Sequence, residues 1–125
     1  LYTQEQSYTP LTAGLMRYLN ENYASHITGE SLAEAFHYSS EYIDKKMKQE
    51  LGMTPHAYLT CIRLQNAKKL LERTDLPIQK IASECGFSDN SIFYKAFKKS
   101  FSLSPSEWRK RNQFPDRRTD TVSSS

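Results

Sequence analysis

The sequence predicts an all-α protein in which a helix, a tight turn and a second helix are written twice, about fifty residues apart. Leu32-Ala33-Glu34-Ala35-Phe36-His37-Tyr38-Ser39 lies over Ile81-Ala82-Ser83-Glu84-Cys85-Gly86-Phe87-Ser88 with apolar and small positions in step. After a one-residue insertion in the second copy, Ile43, Lys45, Met47, Lys48, Leu51 and Pro55 fall over Phe93, Lys95, Phe97, Lys98, Phe101 and Pro105, and Tyr58 falls over Trp108. Between the copies, Pro55 to Arg73 contains no internal glycine or proline, as one long helix requires.

Residues 1–9 are polar and aperiodic and read as a linker. Pro10 opens a helix, where its missing N–H is not needed, and Leu15, Met16, Leu19 and Tyr23 follow at helical spacing. Thr28 stands as the cap of a short helix burying Leu32, Ala33 and Phe36. His37-Tyr38-Ser39 then turns into a third helix, from about Ser40 to Glu50, that Gly52 stops. Ile43, Met47 and Leu51 form its packing stripe, with Glu41, Asp44, Lys45 and Lys48 on the opposite side.

Thr54 and Pro55 cap and open the long helix, whose 19 residues to Arg73 span about 28 Å at roughly 1.5 Å per residue. Ala57, Cys61, Leu64 and Leu71 lie on one side and Tyr58, Leu59, Ile62 and Leu70 on the other, the pattern of a helix shared between two packing partners. Pro77 stands in the first turn of the next helix, Gly86 supplies the positive φ of the second turn, and Asp89 caps a helix to about Ser100. Ile92, Phe93, Ala96 and Phe97 are expected inside; Asn90, Ser91, Tyr94, Lys95 and Lys98 outside. Ser104 and Glu107 form a capping box around Pro105 and start a last helix that buries Trp108. Residues 113–125 lack periodicity and read as a disordered tail. The domain expected over 10–112 divides into a first helix-turn-helix (10–53), a connecting helix (54–74) and a second helix-turn-helix (75–112).

With 125 residues, 38% hydrophobic and 25% charged, the composition is that of one ordinary folded domain. A net charge of +3 says little about partners, but between Lys95 and Arg111 six bases face a single acid, Glu107. Cys61 and Cys85 show no metal-ligand spacing and are expected as buried structural thiols. His26, His37 and His56 lack an i,i+4 partner, so no metal is expected. Phe87, Phe93, Phe97, Phe101 and Trp108 follow the period of burial rather than that of a stacking platform.

The chain has no apolar run near the ~20 residues of a membrane span and no signal-peptide pattern, and a cytoplasmic setting is expected. Without a nucleophile–base pair, phosphate-cradling loop or metal cluster, it is not expected to be an enzyme or to hold a cofactor or ligand. Leu1 in place of a methionine suggests a piece of a longer protein.

A repeated helix-turn-helix points to double-stranded DNA, because the major groove admits one helix and shows each base pair as a distinct donor and acceptor pattern. Two such units usually come from a dimer reading half-sites roughly 34 Å apart. Here one polypeptide carries both, joined by a helix of that order of length, which predicts a monomeric reader of an asymmetric site. Lys95 and Lys98 are expected to contact DNA rather than form a merely solvated face. Asn90 fits either a helix-start residue or a bidentate reader of adenine.

Ile78-Gln79-Lys80-Ile81-Ala82, then Cys85-Gly86-Phe87-Ser88-Asp89-Asn90-Ser91-Ile92-Phe93-Tyr94-Lys95-Ala96-Phe97, then Ser104-Pro105-Ser106-Glu107-Trp108-Arg109, closely resemble the signature of the AraC/XylS family of bacterial transcription regulators. The resemblance covers about Met16 to Arg111. It implies seven helices in two homeodomain-like helix-turn-helix subdomains bridged by a long helix. It also implies attachment to a separate sensing or dimerisation domain, and contact with RNA polymerase. The family's base-reading positions fall on Ser40, Glu41, Asp44 and Lys45 in the first recognition helix and on Asn90, Ser91, Tyr94 and Lys95 in the second.

The first helix departs from the family in carrying Asp44 where arginine or glutamine is common, and Glu41 adds another acid. Carboxylates accept from cytosine N4 but are repelled by phosphates, so the second helix is expected to supply more affinity. Ser102 stands where the family has glycine, and Met47 where the second copy has an aromatic. The alternative from another class is a helical protein-interaction module whose outer faces contact RNA polymerase or another regulator.

Overall fold

A computed structural model describes residues 8–112; most of the expected linker and the whole expected tail lie outside the described residues. The helices are α1 (Pro10–Asn22), α2 (Gly29–Phe36), α3 (Ser40–Leu51), α4 (Pro55–Arg73), α5 (Ile78–Glu84) and α6 (Asn90–Phe101), followed by α7 over residues 105–112. No strand occurs among the described residues. The chain divides into two compact units, Leu1–Ile62 and Arg63–Ser125, with α4 running through the boundary.

In unit 1 the buried core consists of Leu15 and Leu19 from α1, Leu32 from α2, Ile43 and Met47 from α3, and Leu59 and Ile62 from α4. Caps fix where its helices begin. Thr28 Oγ1 accepts from Ser31 N at 3.0 Å while Ser31 Oγ accepts from Thr28 N at 2.9 Å, and Thr54 Oγ1 accepts from Ala57 N at 3.2 Å. Thr9, assigned by sequence to the linker, belongs to the folded unit. It caps α1, and its N–H and hydroxyl donate to the Glu50 carboxylate at 2.9 and 3.0 Å. Those bonds, the Thr9 N–H first, hold the Glu50 carboxyl below the usual carboxylate range, with Lys46 adding an ion pair at 3.4 Å.

Unit 2 packs Leu64, Ala67 and Leu71 of α4 against Ile81, Ala82, Cys85, Phe87, Phe93 and Phe97. Its aromatic rings form a continuous chain: Phe87–Phe93 at 5.0 Å, Phe93–Phe97 at 5.7 Å, Phe97–Phe101 at 4.6 Å and Phe97–Trp108 at 5.9 Å between centroids. Trp108 Nε1 donates to Glu72 at 2.9 Å, and Arg109 donates to the carbonyls of Leu71 at 3.3 Å and Thr74 at 3.0 Å. Arg109, counted by sequence among the six bases between Lys95 and Arg111, therefore satisfies the open carbonyl end of α4.

The copies repeat their backbone as well as their sequence. In each, one left-handed residue makes the turn, His37 at φ 63° and Gly86 at φ 98°, and another ends the second helix, Gly52 at φ 84° and Ser102 at φ 69°. Each copy uses glycine at one of the two sites and a side chain at the other. A Cβ in this region costs roughly 1–2 kcal/mol, partly offset by the entropy glycine loses on folding. His37→Gly and Ser102→Gly, at exposed positions, are each expected to stabilise the fold by about 0.5–1 kcal/mol, measured by urea unfolding.

Three assignments change. Pro77 precedes α5 at the cap position instead of standing in its first turn. Ile92 is 50% exposed, because α6 buries the narrow stripe Phe93 and Phe97 and residue 92 lies about 100° round the helix from residue 93. Cys61 is exposed while Cys85 is buried. Burial, followed by the nearby Glu84 charge, pushes the Cys85 thiol up to about 11 against the opposing effect of Arg63. A disulfide-exchange reagent at neutral pH is expected to titrate Cys61 at once and Cys85 only on unfolding. Above the ordinary cysteine range the unfolded chain releases the Cys85 proton first, so this group's share of stability falls as pH rises toward 11.

Candidate nucleic-acid interface

The two recognition helices begin alike, each set by a cap from the turn. Ser39 Oγ accepts from Tyr42 N at 3.1 Å, and Asp89 Oδ1 accepts from Ile92 N at 2.8 Å. Each helix is 12 residues long, so the cap fixes which side chains face outward. Glu41, Asp44 and Lys45 are exposed on α3, and Ser40, at its first position, is half-buried. Asn90, Ser91, Tyr94, Lys95 and Lys98 are all exposed on α6. Within each unit the residues at i, i+1, i+4 and i+5 share one helix side.

The sides differ electrostatically. On α3, Glu41 and Asp44 stand beside Lys45, whereas α6 presents Lys95 and Lys98 without an acid of its own. Among the described residues neither Lys45 nor Lys95 is held in an ion pair. The field of Lys98 falls partly on Glu107, whose carboxyl lies below its usual range chiefly because Ser104 N donates to it at 2.8 Å.

Sequence reasoning missed the exposed apolar groups on these helices. Tyr42 and Ile92 occupy equivalent places in the two copies and are 42% and 50% exposed. Tyr38 stacks on Tyr42 with centroids 5.1 Å apart and planes at 21°. The shared offset of Tyr42 and Ile92 was the available signal; reading Ile92 as core concealed it.

The helix-turn-helix domain family model matches residues 32–111, which takes in both copies. The chain belongs to the AraC/XylS family of transcription regulators. It is 38% identical over 95 residues to the HTH-type transcriptional activator RhaS of Enterobacter sp. (strain 638), a match covering 76% of this chain and 34% of RhaS. The chain thus spans about a third of the length of the curated relatives it matches. Among solved structures, the C-terminal domain of AraT, a response regulator from Geobacillus stearothermophilus, is 33% identical with a TM-score of 0.83, covering 86% of this chain and 90% of that one. A probable AraC family transcriptional regulator from Rhodopseudomonas palustris CGA009 is 29% identical with a TM-score of 0.76, covering 84% and 99%. Family membership agrees with the all-α, seven-helix reading. Among the described residues no helix is long and apolar enough to cross a membrane.

Proposed function

We propose that this domain binds double-stranded DNA sequence-specifically for a bacterial transcription regulator, with α3 and α6 in successive major-groove segments. One observation carries this reading: both copies present the same helix register, Glu41, Asp44 and Lys45 exposed beside half-buried Ser40 in one and Asn90, Ser91, Tyr94 and Lys95 exposed in the other. Lysines and helix starts fix position on the phosphates, while Asn90, Ser91 and Asp44 have the donors and acceptors to read base edges. Ile92 adds an apolar surface suited to a thymine methyl group. Selection from a random duplex pool is expected to enrich an asymmetric site with two constrained blocks about one helical turn apart. No enrichment would overturn the reading.

Affinity is assigned mainly to α6, because Asp44 and Glu41 oppose phosphate on α3. Lys95→Ala is expected to weaken binding by about tenfold and Lys45→Ala by less, at matched salt. The reverse order would place the affinity on α3. RNA polymerase as a further partner, transcriptional activation, dimerisation through another part of a longer protein and a cytoplasmic setting complete the proposal, supported by family membership.

A further inference from the structure

Each unit has a cleft at the same place in the repeat, between its first helix, its recognition helix and the proline that opens the next helix. Unit 2 lines it with Ile78, Asn90, Phe93, Tyr94 and Pro105. Unit 1 has Gly29, Ser40, Ile43, Asp44 and Pro55 at the equivalent positions. Where unit 2 places two bulky side chains, Ile78 and Tyr94, unit 1 has a glycine and an acid. Unit 2's cleft is the larger, about 330 Å³, and lies more open to solvent, whereas unit 1's is a more enclosed cavity of about 200 Å³. Its floor is Leu19, Leu32, Ile43 and Leu59, all buried, and its rim includes the exposed Asp44 and His56.

The backbone does not demand glycine at position 29. Its φ is not positive, and an added Cβ would meet Ser40 Cβ at 3.4 Å, an ordinary contact. The missing side chain leaves space. Asp44 is poorly placed for a phosphate-facing helix and makes no ion pair among the described residues. An apolar floor with one acid at the rim suits an apolar body carrying a cation. A cavity of roughly 150 Å³ lined by aliphatic and aromatic side chains accepts benzene, so the larger volume here admits one ring with a short arm.

We propose that this cavity in unit 1 binds a small single-ring aromatic amine, its ring on the Leu19, Leu32, Ile43 and Leu59 floor and its ammonium on the Asp44 carboxylate. The occupied cavity engages Ser40 and Asp44, two of the four positions assigned to base reading on α3, so the amine antagonises DNA binding by unit 1. This second step rests on the proposed DNA-reading function; the first does not. Sequence reasoning expected no ligand in this stretch, because a cavity lined by residues from several helices leaves no local motif.

The test is titration of the ¹⁵N-labelled chain with phenethylamine, without DNA, followed by amide shifts. Saturable shifts are expected at Leu32, Ile43, Asp44 and His56 and not in unit 2. The anion 3-phenylpropionate, with the same ring and a similar arm, should bind at least about tenfold more weakly, since the partly exposed charge contact turns from attraction to repulsion. Asp44→Asn should erase that preference without changing the unfolding midpoint, and Gly29→Ile, which places a branched side chain in the cavity, should abolish the shifts. Equal binding of amine and anion, shifts spread over both units, or an unchanged preference in Asp44→Asn would overturn the site. With a selected duplex added, phenethylamine should weaken DNA binding several-fold in the native chain and not in Gly29→Ile. Shifts without that loss would overturn the antagonism alone, and failure to select any duplex would leave the amine titration standing.

Discussion

Phe97→Ala is expected to destabilise unit 2 by about 3–5 kcal/mol, the range for deleting a fully enclosed aromatic. Phe97 is 0% exposed and touches Phe93, Phe101 and Trp108, so its removal opens a void bounded by three rings that cannot all move inward. Against a typical total of about 5–15 kcal/mol for a domain, that loss takes much of the available stability. Urea unfolding followed by Trp108 fluorescence reads it directly, since the indole lies beside the void. A change below about 1 kcal/mol would show that these rings are not the core of the unit.

DNA affinity is expected to fall about a thousandfold between 50 and 200 mM salt. The exposed bases Lys45, Lys48, Lys95, Lys98, Lys110 and Arg111 are the candidates for phosphate neutralisation, and six such contacts give a slope of log K against log salt of roughly −5. Removing any one of them should lower the slope by about 1. Arg109→Ala should behave differently, leaving the slope intact while weakening unit 2, because its guanidinium is occupied by the Leu71 and Thr74 carbonyls. A flat salt dependence would sink the phosphate-based mechanism, and a lower slope in Arg109→Ala would return that residue to the interface.

Features written at short, fixed offsets were legible in the sequence. Thr28, Thr54, Asp89 and Ser104 cap helices because a cap needs only a small oxygen-bearing side chain two or three residues ahead of an N–H. The repeat itself exposed the recognition helices, since burial at a fixed residue implies exposure at its neighbours. Interactions across long separations were not legible: Thr9 with Glu50, 41 residues apart, and Arg109 with Leu71 and Thr74, 38 and 35 residues apart. Nothing local marks such partners. Ile92 and Cys61 failed for another reason: apolarity alone does not say whether a residue at the edge of a stripe falls inside it.

The bond between Thr9 and Glu50 has a mechanical consequence. Thr9 ties the backbone just before α1 to a side chain in the last turns of α3. Tension arriving along the chain from Tyr8 therefore loads Glu50 at the same moment as the start of α1, and part of the force bypasses that helix. The first recognition helix is thus wired to the incoming polypeptide by a clasp of two hydrogen bonds. Protonating Glu50, whose carboxyl lies below its usual range, weakens that clasp as pH falls and shifts more of the pull onto α1.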